Sequence, residues 1–262
     1  MRENTIRSRW ARGEAVLNGW LHLPHAFAAE VMAHQGYDSL TIDMQHGPIG
    51  FEAALGMLQA IATTAVMPLA RVRWNEPGTI MQMLDAGCYG IICPMISSPA
   101  ECAAFVAACR YPPHGYRSTG PVRAAYYAGG DYSAHADATV IAMAMIETRG
   151  ALDNLDAILS TPGLDAVYIG PADLAQSLGF PGHLDPTEPV VVDAITHVIA
   201  RGRAHGVVVG MHCGSPAYAR AMVTQGMQFV TVGSDARFLA DGARAATGAF
   251  RQGEAAPERG VY

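Results

Sequence analysis

Short apolar runs alternate with helix-length amphipathic stretches along nearly the whole chain, and this alternation limits the fold more than any other feature. Apolar segments at 15–23, 39–43 and 66–72 are followed by helical patterns at 26–34, 51–61 and 79–86. The rhythm continues with 90–94 before 99–108, 140–146 before 151–160, and 166–169 before 173–178. Segments 207–211 with 218–224, and 229–232 with 238–250, complete eight βα units. Runs such as 66–69 and 166–169 are almost wholly apolar, as parallel strands buried on both faces require.

Eight such units in 262 residues suit an α/β fold made of a single (β/α)8 TIM barrel, expected as one domain over residues 1–251. A doubly wound open sheet has similar spacing, but no Gly-x-Gly-x-x-Gly follows the first strand. Two stretches depart from the rhythm. Segment 111–133, rich in Pro, Gly, Tyr and Arg, is expected as an active-site or subunit-contact loop. Residues 252–262 read as a flexible C-terminal tail.

Composition narrows the chemistry. A net charge of -6 without a basic cluster argues against nucleic acid or an anionic membrane as partner. No apolar run approaches the ~20 residues that span a bilayer, so a cytoplasmic location is expected. The five cysteines lie in apolar surroundings without a Cys-x-x-Cys pair and read as core thiols, with Cys213 the one nearest a strand end. All 17 basic residues are arginine and none is lysine. No Schiff base can therefore form on this chain, which excludes imine-forming aldolases and pyridoxal-phosphate (PLP) enzymes. Carbanion chemistry here needs a metal or a positioned acid.

In such barrels the reactive groups stand just after the apolar runs. Those positions hold Asp43-Met44-Gln45-His46, Arg71-Val72-Arg73, Glu147-Thr148-Arg149 and Gly170-Pro171-Ala172-Asp173. Glu147 and Asp173 come from neighbouring strands, where two carboxylates invite a cation such as Mg2+, Mn2+ or Co2+; each alone is equally a helix cap. His46 can carry protons near neutrality, with Asp43 or Asp85 to set its tautomer. Arg71, or else Arg73, can meet developing oxygen charge, and the N–H groups of Ala172 and Asp173 can hold a carboxylate. Trp20, His22 and Ser234-Asp235 are further pocket candidates, Trp20 equally packing and Ser234 equally a cap.

Taken in order, Ile42-Asp43-x-x-His46-Gly47-Pro48, Pro68-Leu69-Ala70-Arg71-Val72, Leu84-Asp85-Ala86-Gly87, Arg110-Tyr111-Pro112-Pro113, Ile146-Glu147-Thr148 and Gly170-Pro171-Ala172-Asp173-Leu174 resemble the HpcH/HpaI family of class II 2-keto-3-deoxy acid aldolases. The resemblance runs over residues 19–245. It implies that Glu147 and Asp173 are metal ligands, that Arg71 contacts the keto oxygen, and that His46 with Asp85, and Asp43 beside them, handles protons. It further implies a pyruvate or hydroxypyruvate enolate that adds to an aldehyde, or is released when a 4-hydroxy-2-keto acid is cleaved. The family pattern also implies a hexameric homo-oligomer, a dimer of trimers with an exchanged C-terminal helix, in which the segment 116–123 reaches a neighbour.

Two positions depart from the common pattern. Gln45 stands where many members have a glutamate, and Met145 stands where many have a glutamine. Both changes suggest a less acidic and broader substrate range, as in the hydroxyketoacid aldolase branch. The rival reading is a CoA-thioester lyase of the citrate lyase β or malyl-CoA type, for which Arg117 and Arg123 would have to grip phosphates. A non-catalytic metabolite-binding barrel would have lost the carboxylates, Arg71 or His46.

Overall fold

The computed structural model describes residues 1–252, and eight parallel strands close into one barrel in sequential order. They are β1 (Val16–Leu21), β2 (Ser39–Asp43), β3 (Met67–Arg71), β4 (Gly90–Cys93), β5 (Ile141–Ile146), β6 (Ala166–Ile169), β7 (Val208–Cys213) and β8 (Phe229–Ser234). Because β1 pairs with both β2 and β8, no sheet edge is left open. The expected (β/α)8 barrel is the observed one. The expected tail falls outside the described residues except for Gln252, which ends a helix.

The helices are α1 (Thr5–Ala11), α2 (Ala26–Ala33), α3 (Phe51–Ile61), α4 (Pro77–Asp85), α5 (Pro99–Cys109), α6 (Val122–Ala128) and α7 (Tyr132–Thr139), followed by α8 (Arg149–Asp153), α9 (Leu155–Leu159), α10 (Pro171–Ser177), α11 (Pro189–His205), α12 (Pro216–Thr224) and α13 (Asp235–Gln252). Several share one local rule, an acceptor side chain followed by proline. Glu76 accepts from the N–H groups of Gly78 and Thr79, Ser98 from Glu101, and Ser215 from Tyr218, and Pro77, Pro99 and Pro216 follow them. The cap satisfies an orphan donor, and proline loses no hydrogen bond at that position.

Side chains alternate between two cores. Trp20, Met67, Ile92, Met143, Tyr168 and Phe229 fill the barrel, while Leu40, Ile42, Ala70, Ile91, Ala142 and Val167 face the helices. Within the barrel a polar layer is fully paired: Asn18 Nδ2 and Tyr168 Oη both donate to Thr231 Oγ1, at 2.9 and 2.7 Å. Asn18 Oδ1 in turn accepts from Ser39 and Thr41. This layer supports Trp20 and everything above it.

Two features differ from the sequence expectation. The crossover between β6 and β7 is carried by α11, whose apolar stripe Val191, Ile195, Val198 and Ile199 has helical spacing hidden by the strand-like run of valines at its start. Segment 111–133 is not a plain loop, since it contains α6 and the start of α7 and buries Arg117. At the C-terminal end of the described residues, α13 leaves most of its length exposed. An apolar cavity of about 670 Å³, lined by Leu17, Met32, Tyr37, Ala219, Val230 and Phe238, opens between α2 and α12. Leu239 and Phe250 on α13 are exposed. Among the described residues no helix is long and apolar enough to cross a membrane.

Candidate active site

The register of β2 on β3 sets Asp43 directly beside Arg71 at the C-terminal end of the barrel. Arg71 Nε donates to Asp43 Oδ1 at 2.9 Å and Nη2 donates to Oδ2 at 2.6 Å, which leaves Nη1 unspent. The guanidinium lies 4.9 Å above the Trp20 ring. Trp20 Nε1 donates to Asp43 Oδ2 at 3.1 Å, and His22 Nε2 lies 3.0 Å from the same oxygen. The backbone N–H groups of Gln45 and His46 donate to Oδ1. Burial by itself would raise this carboxyl, but the hydrogen bonds from His22 and Arg71, the Arg71 charge and the Trp20 N–H hold it well below the usual carboxylate range. Asp43 is thus a fixed anion that aims Arg71. A carboxylate so stabilised stays ionised near neutrality.

Across the mouth, Glu147 follows β5 and is 2% exposed. Met95, whose φ of 58° is in the left-handed region rarely used by non-glycine residues, turns its N–H onto Glu147 Oε1 at 2.7 Å. The second oxygen, Oε2, points at Gly170, where any Cβ would collide with it. Burial, offset in part by the Met95 N–H and joined by repulsion from Asp173, pushes the Glu147 carboxyl up to about 7. Asp173 lies in the first turn of α10, exposed to the mouth. Ala172 and Asp173 also present the free N–H groups of that turn.

This pair fits a divalent cation. The Asp173 carboxylate repels charge on Glu147, which is buried with one oxygen uncommitted. Among the described residues no group of three or more His, Cys, Asp or Glu side chains gathers into a closed cage. The remaining ligands would come from water and substrate, as hard cations with open positions require.

The other expected residues lie as follows. The His46 ring is exposed at the rim, and among the described residues it makes no hydrogen bond. Asp85 ends α4, and the helices run antiparallel to the strands, so it stands at the opposite end of the barrel from Asp43. There Arg117 Nη2 donates to it at 2.7 Å. Asp85 and His46 therefore do not meet within one chain. Trp20, buried and with its N–H given to Asp43, serves as a platform for Arg71. Gln45 Oε1 is buried without a partner among the described residues. Ser234 Oγ accepts from the Arg237 N–H and caps α13. Arg73 donates to the carbonyls of Met44 and Ile49 and pins the loop after β2. Burial pushes the Cys213 thiol up to about 12, so it is no nucleophile. Arg117 and Arg123 are spent on Asp85 and on the Ala86 carbonyl, leaving neither for a cofactor phosphate.

One mouth residue escaped the sequence reading. His212 lies in β7, beyond the expected end of that strand at 211. The period-two alternation through Val208 and Gly210 would have placed it facing inward.

Known proteins share this architecture and much of the sequence. The model of the HpcH/HpaI aldolase/citrate lyase family matches residues 18–242. The chain is 46% identical over 241 residues to a hydroxypyruvate/pyruvate aldolase of Rhizorhabdus wittichii, covering 92% of this chain and 96% of that relative. It is 37% identical over 251 residues to a 4-hydroxy-2-oxo-heptane-1,7-dioate aldolase of Salmonella dublin, covering 95% of each. A crystal structure of an HpcH/HpaI aldolase/citrate lyase family protein from Burkholderia cenocepacia superposes with a TM-score of 0.88 at 35% identity, covering 95% of this chain and 99% of that one.

Proposed function

Since the chain belongs to the HpcH/HpaI aldolase/citrate lyase family and is a carbon–carbon lyase of the aldolase type, we propose that it makes or cleaves 4-hydroxy-2-keto acids through an enolate of pyruvate or hydroxypyruvate and an aldehyde. The observation that carries this reading is the placement of Arg71, aimed by Asp43, across the mouth from the Glu147 and Asp173 carboxylates. Glu147 and Asp173 would hold a divalent cation, Mg2+, Mn2+ or Co2+, which when bound supplies Lewis acidity for enolate formation.

The chain's own groups do the rest. Arg71 Nη1 donates to the C2 oxygen of the keto acid and offsets the negative charge that develops there. Because Asp43 fixes the guanidinium before substrate arrives, little reorganisation is needed as that charge forms. The N–H groups of Ala172 and Asp173 at the start of α10 hold the substrate carboxylate. His46, free at the rim, is the exposed imidazole that can exchange protons with the departing or arriving hydroxyl.

The oligomeric reading rests on α13 and the groove. A second copy laying its α13 into the apolar cavity between α2 and α12 would cover Leu17, Met32, Val230 and the exposed face of α13 together. We take this exchange as the basis of a homo-oligomer, a hexamer in the family pattern. Five free thiols suit a reducing compartment such as the cytoplasm.

Two variants test the site. Glu147→Ala is expected to abolish Mn2+ binding in titration calorimetry while the circular dichroism spectrum stays unchanged. Arg71→Ala is expected to bind Mn2+ as the parent does and to lose about 100-fold or more in kcat, the usual worth of one oxyanion donor. Full activity in either variant would remove that residue from the role.

A further inference from the structure

The proposed chemistry leaves His212 unused. Its ring meets the Trp20 indole edge-on, with centroids 5.0 Å apart and planes at 75°. It is only partly buried, so an edge of the imidazole faces the mouth, and among the described residues it makes no hydrogen bond. Enclosure, and then the positive charge of Arg71, bring the imidazole down to about 4; His22 and Arg237 add to this and Asp43 opposes it. At neutral pH the ring is therefore uncharged, with one nitrogen a donor and the other an acceptor.

His22 stands beside the same platform. Asp43 is ionised and can only accept, so the proton between them sits on His22 Nε2. Nδ1 is left to the mouth, where the side chain is 31% exposed. Two imidazole edges without protein partners thus flank Trp20 near Arg71.

The chemistry of these edges selects what they can bind. A neutral imidazole is a poor anion site, and Arg71 already meets the anionic oxygens. A cation is disfavoured by the same arginine. A hydroxyl donates and accepts at once, so it can match either nitrogen of the uncharged His212 ring, and a polar group left unmatched inside a site is costly. We propose that His212, with His22 beside it, is a specificity-determining group that reads a hydroxyl on the substrate chain and favours hydroxylated substrates over their deoxy analogues. This rests on the aldolase reading above. The hydroxyl belongs either to the enolate donor, a 3-hydroxy-2-keto acid, or to the acceptor, a 2-hydroxyaldehyde.

Matched pairs separate these sources. Hydroxypyruvate and pyruvate are compared with one common aldehyde, and glycolaldehyde and acetaldehyde are compared with pyruvate, each as kcat/KM in the presence of Mn2+. His212→Phe keeps an aromatic edge on Trp20 and removes both nitrogens. In one pair it is expected to lower the ratio of hydroxylated to deoxy substrate by about tenfold or more, the worth of a single hydrogen bond. His212→Gln is expected to recover part of that ratio. The pair that responds identifies the owner of the hydroxyl. Ratios unchanged in both pairs, or an equal loss on all four substrates in both variants, would overturn the inference while leaving the aldolase reading intact. Wild-type protein inactive on all four substrates would instead overturn the aldolase reading, and the inference with it.

Discussion

Six donors converge on Asp43: Arg71 twice, Trp20, His22 and the amides of Gln45 and His46. The sequence displays the Asp-x-x-His spacing but not the strand register that sets Asp43 against Arg71, a contact 28 residues apart. Asp43 therefore reads as a proton carrier in one dimension and as an anchor in three. Arg71, Glu147 and Asp173 were legible because their positions after apolar runs follow from barrel geometry alone. His212 was not, because one misjudged strand end hid its inward phase. Asp43→Asn leaves a buried arginine without its counter-charge, and a loss of roughly 3–5 kcal/mol is expected in urea unfolding. The folded-state carboxyl is lowered from its ordinary 3.8, so its stabilisation is fully present above 3.8 and is lost as pH falls through the lower folded value. The gap in urea midpoint between parent and Asp43→Asn should accordingly stay level from pH 8 to pH 5 and narrow only in stronger acid. His212 has the opposite charge type and a different window. Its folded value near 4 lies under the ordinary 6.5, so the unfolded chain binds the proton first and stability drops as pH falls from 6.5 toward 4. His212→Phe should flatten part of that slope.

At the level of elements, the Glu147 site depends on the meeting of β5, β6 and the turn after β4. Ile146 pairs with Ile169, so the residues that follow them, Glu147 and Gly170, meet at the mouth. Only a residue without Cβ leaves room there for the free carboxylate oxygen. The Gly-Pro-Ala-Asp run was legible as a helix start; the reason for its glycine was not, since the clash comes from the neighbouring strand. Gly170→Ala is expected to displace Glu147 and weaken Mn2+ binding by about tenfold or more, read by calorimetry on folded protein, with a shift of one hydrogen bond's worth as the lower bound. An unchanged affinity would show that Glu147 tolerates the methyl group and that the glycine serves the backbone alone. The missed helix α11 shows the complementary limit. Its β-branched start favours a strand locally, and only burial of Val191, Ile195 and Val198 against the barrel makes it helical.

For the whole molecule, eight βα units were legible because each apolar run must be covered on both faces, whereas the last helix leaves apolar side chains such as Leu239 and Phe250 exposed. Groove and helix both expose apolar surface that one chain does not bury. Val223→Arg, which puts a charge into the groove lining, is expected to shift sedimentation from an oligomer to a smaller species. An unchanged sedimentation coefficient would argue that α13 and the groove do not meet between copies. The central claim, that this barrel forms keto-acid enolates with a divalent cation on Glu147 and Asp173, is tested most directly by one assay. Purified protein stripped with EDTA is given pyruvate and an aldehyde, and product is followed before and after Mn2+ or Mg2+ is returned. The prediction is no turnover after stripping and recovery on return of the cation; aldol product formed at the full rate by the stripped protein would contradict it.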